Sequence, residues 1–299
     1  MSDELEYGFN LVSARKYNEC LSYAFSDDLL LEWDYLGFGF GSGEFARGVY
    51  EMQVSFGFAE CECDGKLGPN TYRAMMIEVG VVGGEYVVYG DERVRMPVRD
   101  EYRLVTFDED GGLDLHRYGN YSRRRTGIAS VCMHWGGLDA RHCYRVFSTR
   151  ARKVSSHFLI GLEDGECVVY QVLDLQHKAW HAGKYNEGSI GVDICQQPSE
   201  KYLSYYQERG YDVSLVDNVT TRGPSKHVSL DPRIREGVRV FIRDLCQAMN
   251  FDFSIPDDAS KFYGVGAKSY SVYCHSMVSK KKWDIAPWFD ECIRGVDVD

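Results

Sequence analysis

Positive charge is in short supply. The 299 residues carry 34 lysines and arginines against 45 aspartates and glutamates, a formal net charge of −11. Neutralising phosphates needs basic residues in clustered excess, so nucleic-acid binding is excluded as a main role. Also missing is any apolar run of about 18 residues, the minimum for a membrane span. The first ten residues, MSDELEYGFN, lack the basic-then-apolar order of a secretory signal, so synthesis in the cytoplasm is the expectation. No internal repeat or low-complexity stretch interrupts the chain. Paired C-x-x-C knuckles are absent, and Cys61 and Cys63 form only a lone C-x-C. The 10 cysteines are therefore expected to be mostly reduced and buried as small apolar residues.

What is present suffices for a core. Hydrophobic residues make up 44% of the chain, which fits one large or two modest domains. The first readable unit covers residues 43–80, GEFARGVYEMQVSFGFAECECDGKLGPNTYRAMMIEVG. Val49, Met52, Val54 and Phe56 predict a short helix. Asp64-Gly65 and Gly68-Pro69-Asn70 are turn chemistry. Thr71 is placed to cap a second helix carrying Ala74, Met75 and Ile77. The stretch resembles the helical peptidoglycan-binding module of cell-wall hydrolases, where "V..LQ..LG" precedes "DG.FG..T..A". The matching residues are Val49, Met52, Gln53, Gly57, Asp64, Gly65, Gly68, Thr71 and Ala74. The resemblance implies a wall-binding module marked by Gln53, Asp64, Gly65, Gly68 and Thr71. A possible helix from Ala14 to Phe25 joins the same region. Residues 81–114 hold the strand-like runs EYVVYG and EYRLVTF and read as a connector with short strands of its own.

From about residue 121 the pattern changes. TGIASVCMHW suits a buried strand ending near His134, and LDARHCYRVFSTRA follows with helical spacing. HFLIGL and CVVYQVL are strand-like and joined by EDGE, a hairpin signal built on Asp164-Gly165. SIGVDICQ is another strand. Ile234, Val238, Phe241, Ile242, Leu245 and Met249 lie on one helical face after an Asp231-Pro232 start. The expected fold class is α/β, a mixed β-sheet flanked by helices, with a small mainly helical N-terminal domain. The expected divisions are 1–80, a connector over 81–114, and a catalytic domain over 115–299.

Near the end runs HSMVSKKKWD, His275 to Asp284. A lysine run is usually a solvated face. The stretch VSSHFLIGLEDGECVVYQVLDLQHKAWHAGKYNEGSIGVDI gives it another meaning. It resembles the zinc-dependent N-acetylmuramoyl-L-alanine amidases of type 2, relatives of the peptidoglycan recognition proteins. Their pattern is a histidine after a buried strand, "S.HF.I..DG...Q", "AWHAG", "N..SIGIE", and a late histidine followed by "K.D". Here the matching residues are His134; Ser156-His157-Phe158; Asp164-Gly165; Gln171; Ala179 to Gly183; Asn186; Ser189-Ile190-Gly191; and His275, Lys282 and Asp284. The resemblance implies one Zn²⁺ per chain, held by His134, His275 and Asp284 with a fourth position for water, a known catalytic arrangement. In an extended segment Lys282 and Asp284 leave on one face, so Lys282 is the candidate oxyanion donor. Asp193 stands where the family places a glutamate, one methylene longer. It is either a general base or a carboxylate that positions a loop. The resemblance also implies that Trp180, His181 and Asn186 line the substrate groove, with Asn186 bonding either the loop or the substrate. His116, His142, His177 and His227 carry no motif.

The implied activity is hydrolysis of the bond between N-acetylmuramic acid and L-alanine, in a phage endolysin-like enzyme whose partner is bacterial peptidoglycan. A non-catalytic peptidoglycan-recognition protein is the first alternative, and a cytoplasmic muropeptide-recycling amidase the second. A monomer is assumed.

Overall fold

The computed structural model describes residues 85–294 except 110, 219, 221, 222 and 259, together with 13–15, 18, 43–55, 57–58, 63–66 and 71. The chain divides into two compact units, Met1–Glu85 with Pro97–Asp100, and Tyr86–Met96 with Glu101–Asp299.

In the first unit, helix α1 spans Gly43–Ser55. Phe45, Ala46, Val49 and Gln53 are buried on one helical face. Val54, expected among the apolar positions, is 53% exposed, because it lies a further 100° round from buried Gln53. Gln53 spends its amide internally. Its Nε2 donates to Thr71 Oγ1 at 2.9 Å and to the Lys66 carbonyl at 3.2 Å, and its Oε1 accepts from the Gly65 N–H at 2.9 Å. Gly65 has φ +68°, a left-handed conformation that suits glycine. Asp64 accepts from the Lys66 N–H at 3.0 Å. Gln53, Asp64, Gly65 and Thr71 thus form one knot that ties the Asp-Gly turn to α1. Gly68, Phe56, the helix expected after Thr71 and most of the one from Ala14 to Phe25 lie outside the described residues.

The second unit begins with β1 (Tyr86–Tyr89), β2 (Glu92–Arg95), β3 (Arg103–Thr106), β4 (Tyr121–Arg123) and β5 (Ser130–Trp135). Helix α2 (Ala140–Phe147), β6 (Phe158–Glu163), β7 (Glu166–Gln171), β8 (His177–Ala179) and β9 (Ser189–Ile194) follow. Then come α3 (Leu203–Gln207), β10 (Leu215–Asp217), β11 (Lys226–Val228) and α4 (Pro232–Ala248). The last elements are β12 (Val272–Cys274), α5 (His275–Val278) and α6 (Ala286–Arg294). Six strands make the central sheet in the order β12-β5-β9-β6-β7-β3. β12, β5, β9 and β6 are parallel neighbours; β6 and β7 form an antiparallel hairpin; β3 lies parallel to β7. The hairpin turn is Asp164-Gly165, with φ 50° and 87°, the type I′ conformation that matches strand twist. β3 closes one edge, so the segment expected as a connector contributes strands to the second unit. Parallel pairing of Leu104 with Val169 joins elements far apart in sequence and leaves no local mark.

Both faces of the sheet are covered, which explains the continuous apolar runs of its strands. Phe158 and Ile160 of β6 face one core with Ile234, Val238, Phe241, Ile242 and Leu245 of α4. Leu159 faces a second core with Ala140, Cys143 and Phe147 of α2. Asp231 caps α4 by accepting from the Arg233 N–H, with Pro232 in the first turn. The described cysteines of this unit are buried thiols, as their sequence context implied. Among the described residues no helix is long and apolar enough to cross a membrane.

Candidate metal centre and cleft

The parallel register sets His134 of β5 opposite Asp193 of β9, each next to the last residue of its strand. His275 directly follows β12, the neighbour of β5 on its other side. Three adjacent parallel strands therefore deliver three polar side chains at their C-terminal ends, where α/β sheets commonly bind ligands. Asp284 arrives from the segment between α5 and α6. Trp283 of that segment packs its ring 4.1 Å from Trp135, centroid to centroid, beside His134. The next residue, Ile285, is fully buried with φ 47°. For a β-branched residue this is strained, at about 1–3 kcal/mol, and it turns the chain from Asp284 into α6.

The three side chains converge. His134 Nδ1 and His275 Nδ1 lie 3.1 Å apart, His275 Nδ1 is 3.2 Å from Asp284 Oδ2, and His134 Nδ1 is 3.7 Å from the same oxygen. A tetrahedral zinc with bonds of about 2.0–2.1 Å spaces its ligand atoms about 3.3 Å apart, so these residues fit the ion. Burial opposes ionisation of Asp284, but the close imidazoles of His134 and His275 outweigh it and hold the carboxyl well below its ordinary range. Burial lowers His134 to about 4, against a smaller opposing pull from Asp284. Both shifts favour the ligating forms, neutral imidazole and carboxylate.

Around this point is a cleft of about 340 Å³ whose lining includes His134, Ser156, His181, Asp193, His275, Lys282 and Asp284. Burial raises Asp193 to about 7, opposed by the hydrogen bond that Ser156 Oγ donates to its Oδ2. Lys282 shares the cleft with Asp284, and its charge bears on both His134 and Asp193.

The AWHAG loop borders the same cleft through His181. His181 lies under the cluster, with Nδ1 3.0 Å from His134 Nε2. Gly191 makes that approach possible: a Cβ there would stand 2.8 Å from both the His181 ring and Ser156 Oγ. Asn186 is turned to the loop. Its Oδ1 accepts from the His181 N–H at 3.2 Å and the Ala182 N–H at 2.5 Å. Trp180 is half-buried and donates from Nε1 to Ser122 Oγ at 3.2 Å.

Two further groups hold the loop in place, His157, which stands in the S.HF motif, and Arg124, which carried no sequence signal. Arg124, the middle of Arg123-Arg124-Arg125, is buried and donates to the carbonyls of Leu175, His177, Asn186, Glu187 and Ser189. Nothing local separates it from its two neighbours. His157 accepts from the Gly191 N–H at its Nδ1, 2.9 Å, and its Nε2 meets the His177 carbonyl at 3.0 Å. Burial, with Arg124 nearby, lowers it to about 3.

Two imidazoles and a carboxylate converging in a cleft at the strand ends form a group that could hold a metal ion. The chain matches the N-acetylmuramoyl-L-alanine amidase family (Amidase_2) over residues 123–287, more than half its length, and belongs to that family. Among solved structures, the catalytic domain of XlyA is 18% identical with a TM-score of 0.33, covering 64% of this chain and 91% of that one. A point mutant of PlyL is 16% identical with a TM-score of 0.36, covering 63% and 91%. No curated protein matches the chain significantly.

Proposed function

We propose that this protein hydrolyses the amide bond between N-acetylmuramic acid and L-alanine in bacterial peptidoglycan, with one zinc ion held by His134 Nδ1, His275 Nδ1 and Asp284 Oδ2. The observation that carries the reading is the convergence of those three atoms within 3.7 Å in an amidase-family chain. The reaction adds water across the amide, leaving the lactyl carboxylate and the free amine of L-alanine. When bound, zinc supplies an acidified water and a Lewis acid for the scissile carbonyl.

The chain's own groups do the rest. Asp193, raised to about 7, can take a proton from the attacking water and return it to the departing amine, because such a carboxyl exchanges protons readily near neutrality. Ser156 fixes its orientation through Oγ. Lys282 places an ammonium in the same cleft, where it donates to the oxygen that gains charge as the carbonyl is attacked. Trp180 and His181 present the AWHAG loop beside the substrate. The first unit, through the module that its Gln53–Asp64–Gly65–Thr71 knot resembles, holds the enzyme on insoluble wall and raises local substrate concentration. Together these parts suit a lytic enzyme of the endolysin type.

Mass spectrometry of products from purified sacculi tests the bond, and metal analysis of the same sample tests the ion. Stem peptides with a free L-alanine amine and about one zinc per chain are expected. Products cut elsewhere in the peptide or in the glycan strand would refute the assigned bond.

A further inference from the structure

His134 presents Nδ1 toward His275 and Asp284, and its other nitrogen faces His181. Which nitrogen of His134 carries the proton decides whether the ring can ligate through Nδ1. Followed outward from the cluster, the hydrogen bonds answer this. His181 Nε2 lies 3.3 Å from Ser189 Oγ, and Ser189 Oγ lies 2.7 Å from the Tyr185 carbonyl oxygen. A carbonyl only accepts, so the Ser189 hydroxyl donates to Tyr185. The serine oxygen is then an acceptor toward His181, which places the His181 proton on Nε2 and leaves Nδ1 with a lone pair. That lone pair faces His134 Nε2 at 3.0 Å, so His134 carries its proton on Nε2. His134 Nδ1 is left with its lone pair toward His275 and Asp284. The Asp284 oxygen, 3.7 Å away, is beyond ordinary hydrogen-bond reach and does not hold a competing proton on His134 Nδ1.

We propose that the Tyr185 carbonyl, Ser189 and His181 form a tautomer-setting chain that keeps His134 Nδ1 deprotonated and aimed at the metal position. It rests on the ligand assignment made above for His134. Ser189 and His181 are positioning residues, acting through His134. Ser189 is fully buried and sits at the end of the short 3₁₀ segment Gly183–Gly188, so the loop backbone itself supplies the terminal acceptor. The role expected of His181, lining the substrate groove, is thereby joined by a second one behind His134. Outer partners of this kind typically change metal affinity by about 10- to 100-fold.

The test uses full-length, metal-free protein labelled with ¹⁵N-histidine. Long-range ¹H–¹⁵N spectra distinguish the two tautomers of each ring. Wild type is expected to show His134 and His181 protonated on Nε2, and Ser189→Ala is expected to lose that preference at His181. Zinc Kd, measured by competition with a chromophoric chelator, is expected to weaken about 10- to 100-fold in His181→Leu. His181→Asn, whose Oδ1 stands at the same bond distance along the side chain as the imidazole Nδ1, is expected to recover part of that loss. A wild-type spectrum with His134 protonated on Nδ1 overturns the proposal, as does a folded His181→Leu with wild-type zinc Kd. Should His181→Leu not fold, the wild-type tautomers still decide. Wild type that binds no zinc sinks the ligand assignment instead, and leaves the spectrum to judge the chain of hydrogen bonds.

Discussion

Two histidine clusters in the second unit differ in what their nitrogens face. In the cleft, His134 Nδ1, His275 Nδ1 and Asp284 Oδ2 crowd a single point, which one cation can serve at once. Beside β4 and β8, His116 and His177 lie with ring centroids 5.3 Å apart and acidic neighbours at hand, yet they are spent pairwise. His116 Nδ1 meets Asp114 at 2.7 Å, and its Nε2 accepts from the Asp174 N–H at 3.3 Å. His177 stacks on Tyr121 at 4.4 Å. Asp174 in turn accepts from the Gly90 and Gln176 N–H groups. Nearness of histidine to aspartate is common to both clusters. Convergence of ligating atoms on one point is confined to the first, and that is the property a metal needs.

The largest effect expected from this contrast is on the ligands. His134→Ala or Asp284→Ala should reduce sacculus hydrolysis to background and leave a folded protein without zinc, by turbidity assay and metal analysis. Wild-type-like lysis by either would break the comparison. Next comes Lys282→Met, which should lower kcat by about 100- to 1000-fold with zinc content unchanged, as for loss of an oxyanion donor. A smaller effect concerns stability. His157 is neutral in the fold and lowered to about 3 from 6.5. Below pH 6.5 the unfolded chain takes up a proton that the fold refuses, so stability falls on acidification through that window, by on the order of a few kcal/mol. Urea denaturation at pH 7 and pH 4.5 should show the loss, and a pH-independent midpoint would contradict it. Smallest is His116→Ala, expected to cost about 1 kcal/mol of stability and to leave zinc affinity and turnover within about twofold. A His116→Ala protein that loses its zinc would erase the distinction between the clusters.

Much of this arrangement was legible in the sequence. The α4 face reads directly from Ile234, Val238, Phe241, Ile242 and Leu245, and the β6–β7 hairpin from Asp164-Gly165, because helix period and turn chemistry are local. His134, His275, Lys282 and Asp284 were reached through ordered motifs, and the structure brings them into one cleft. What stayed hidden depends on contacts between distant segments. β3 joins the sheet by pairing with β7, more than 60 residues later. Asn186 was left open between loop and substrate, and only the placement of the His181 and Ala182 N–H groups directs it to the loop. The partnership of His181 with Ser189 spans 8 residues across the 3₁₀ segment, and no local pattern marks it.

Arg124 has a consequence for variation. Its guanidinium grips main-chain oxygens from Leu175 to Ser189, and those oxygens are the same whatever side chains the residues carry. The outward-facing positions of that segment are therefore free to be exchanged while its path is preserved. The same economy concentrates risk, because one mutation at Arg124 would release the whole segment.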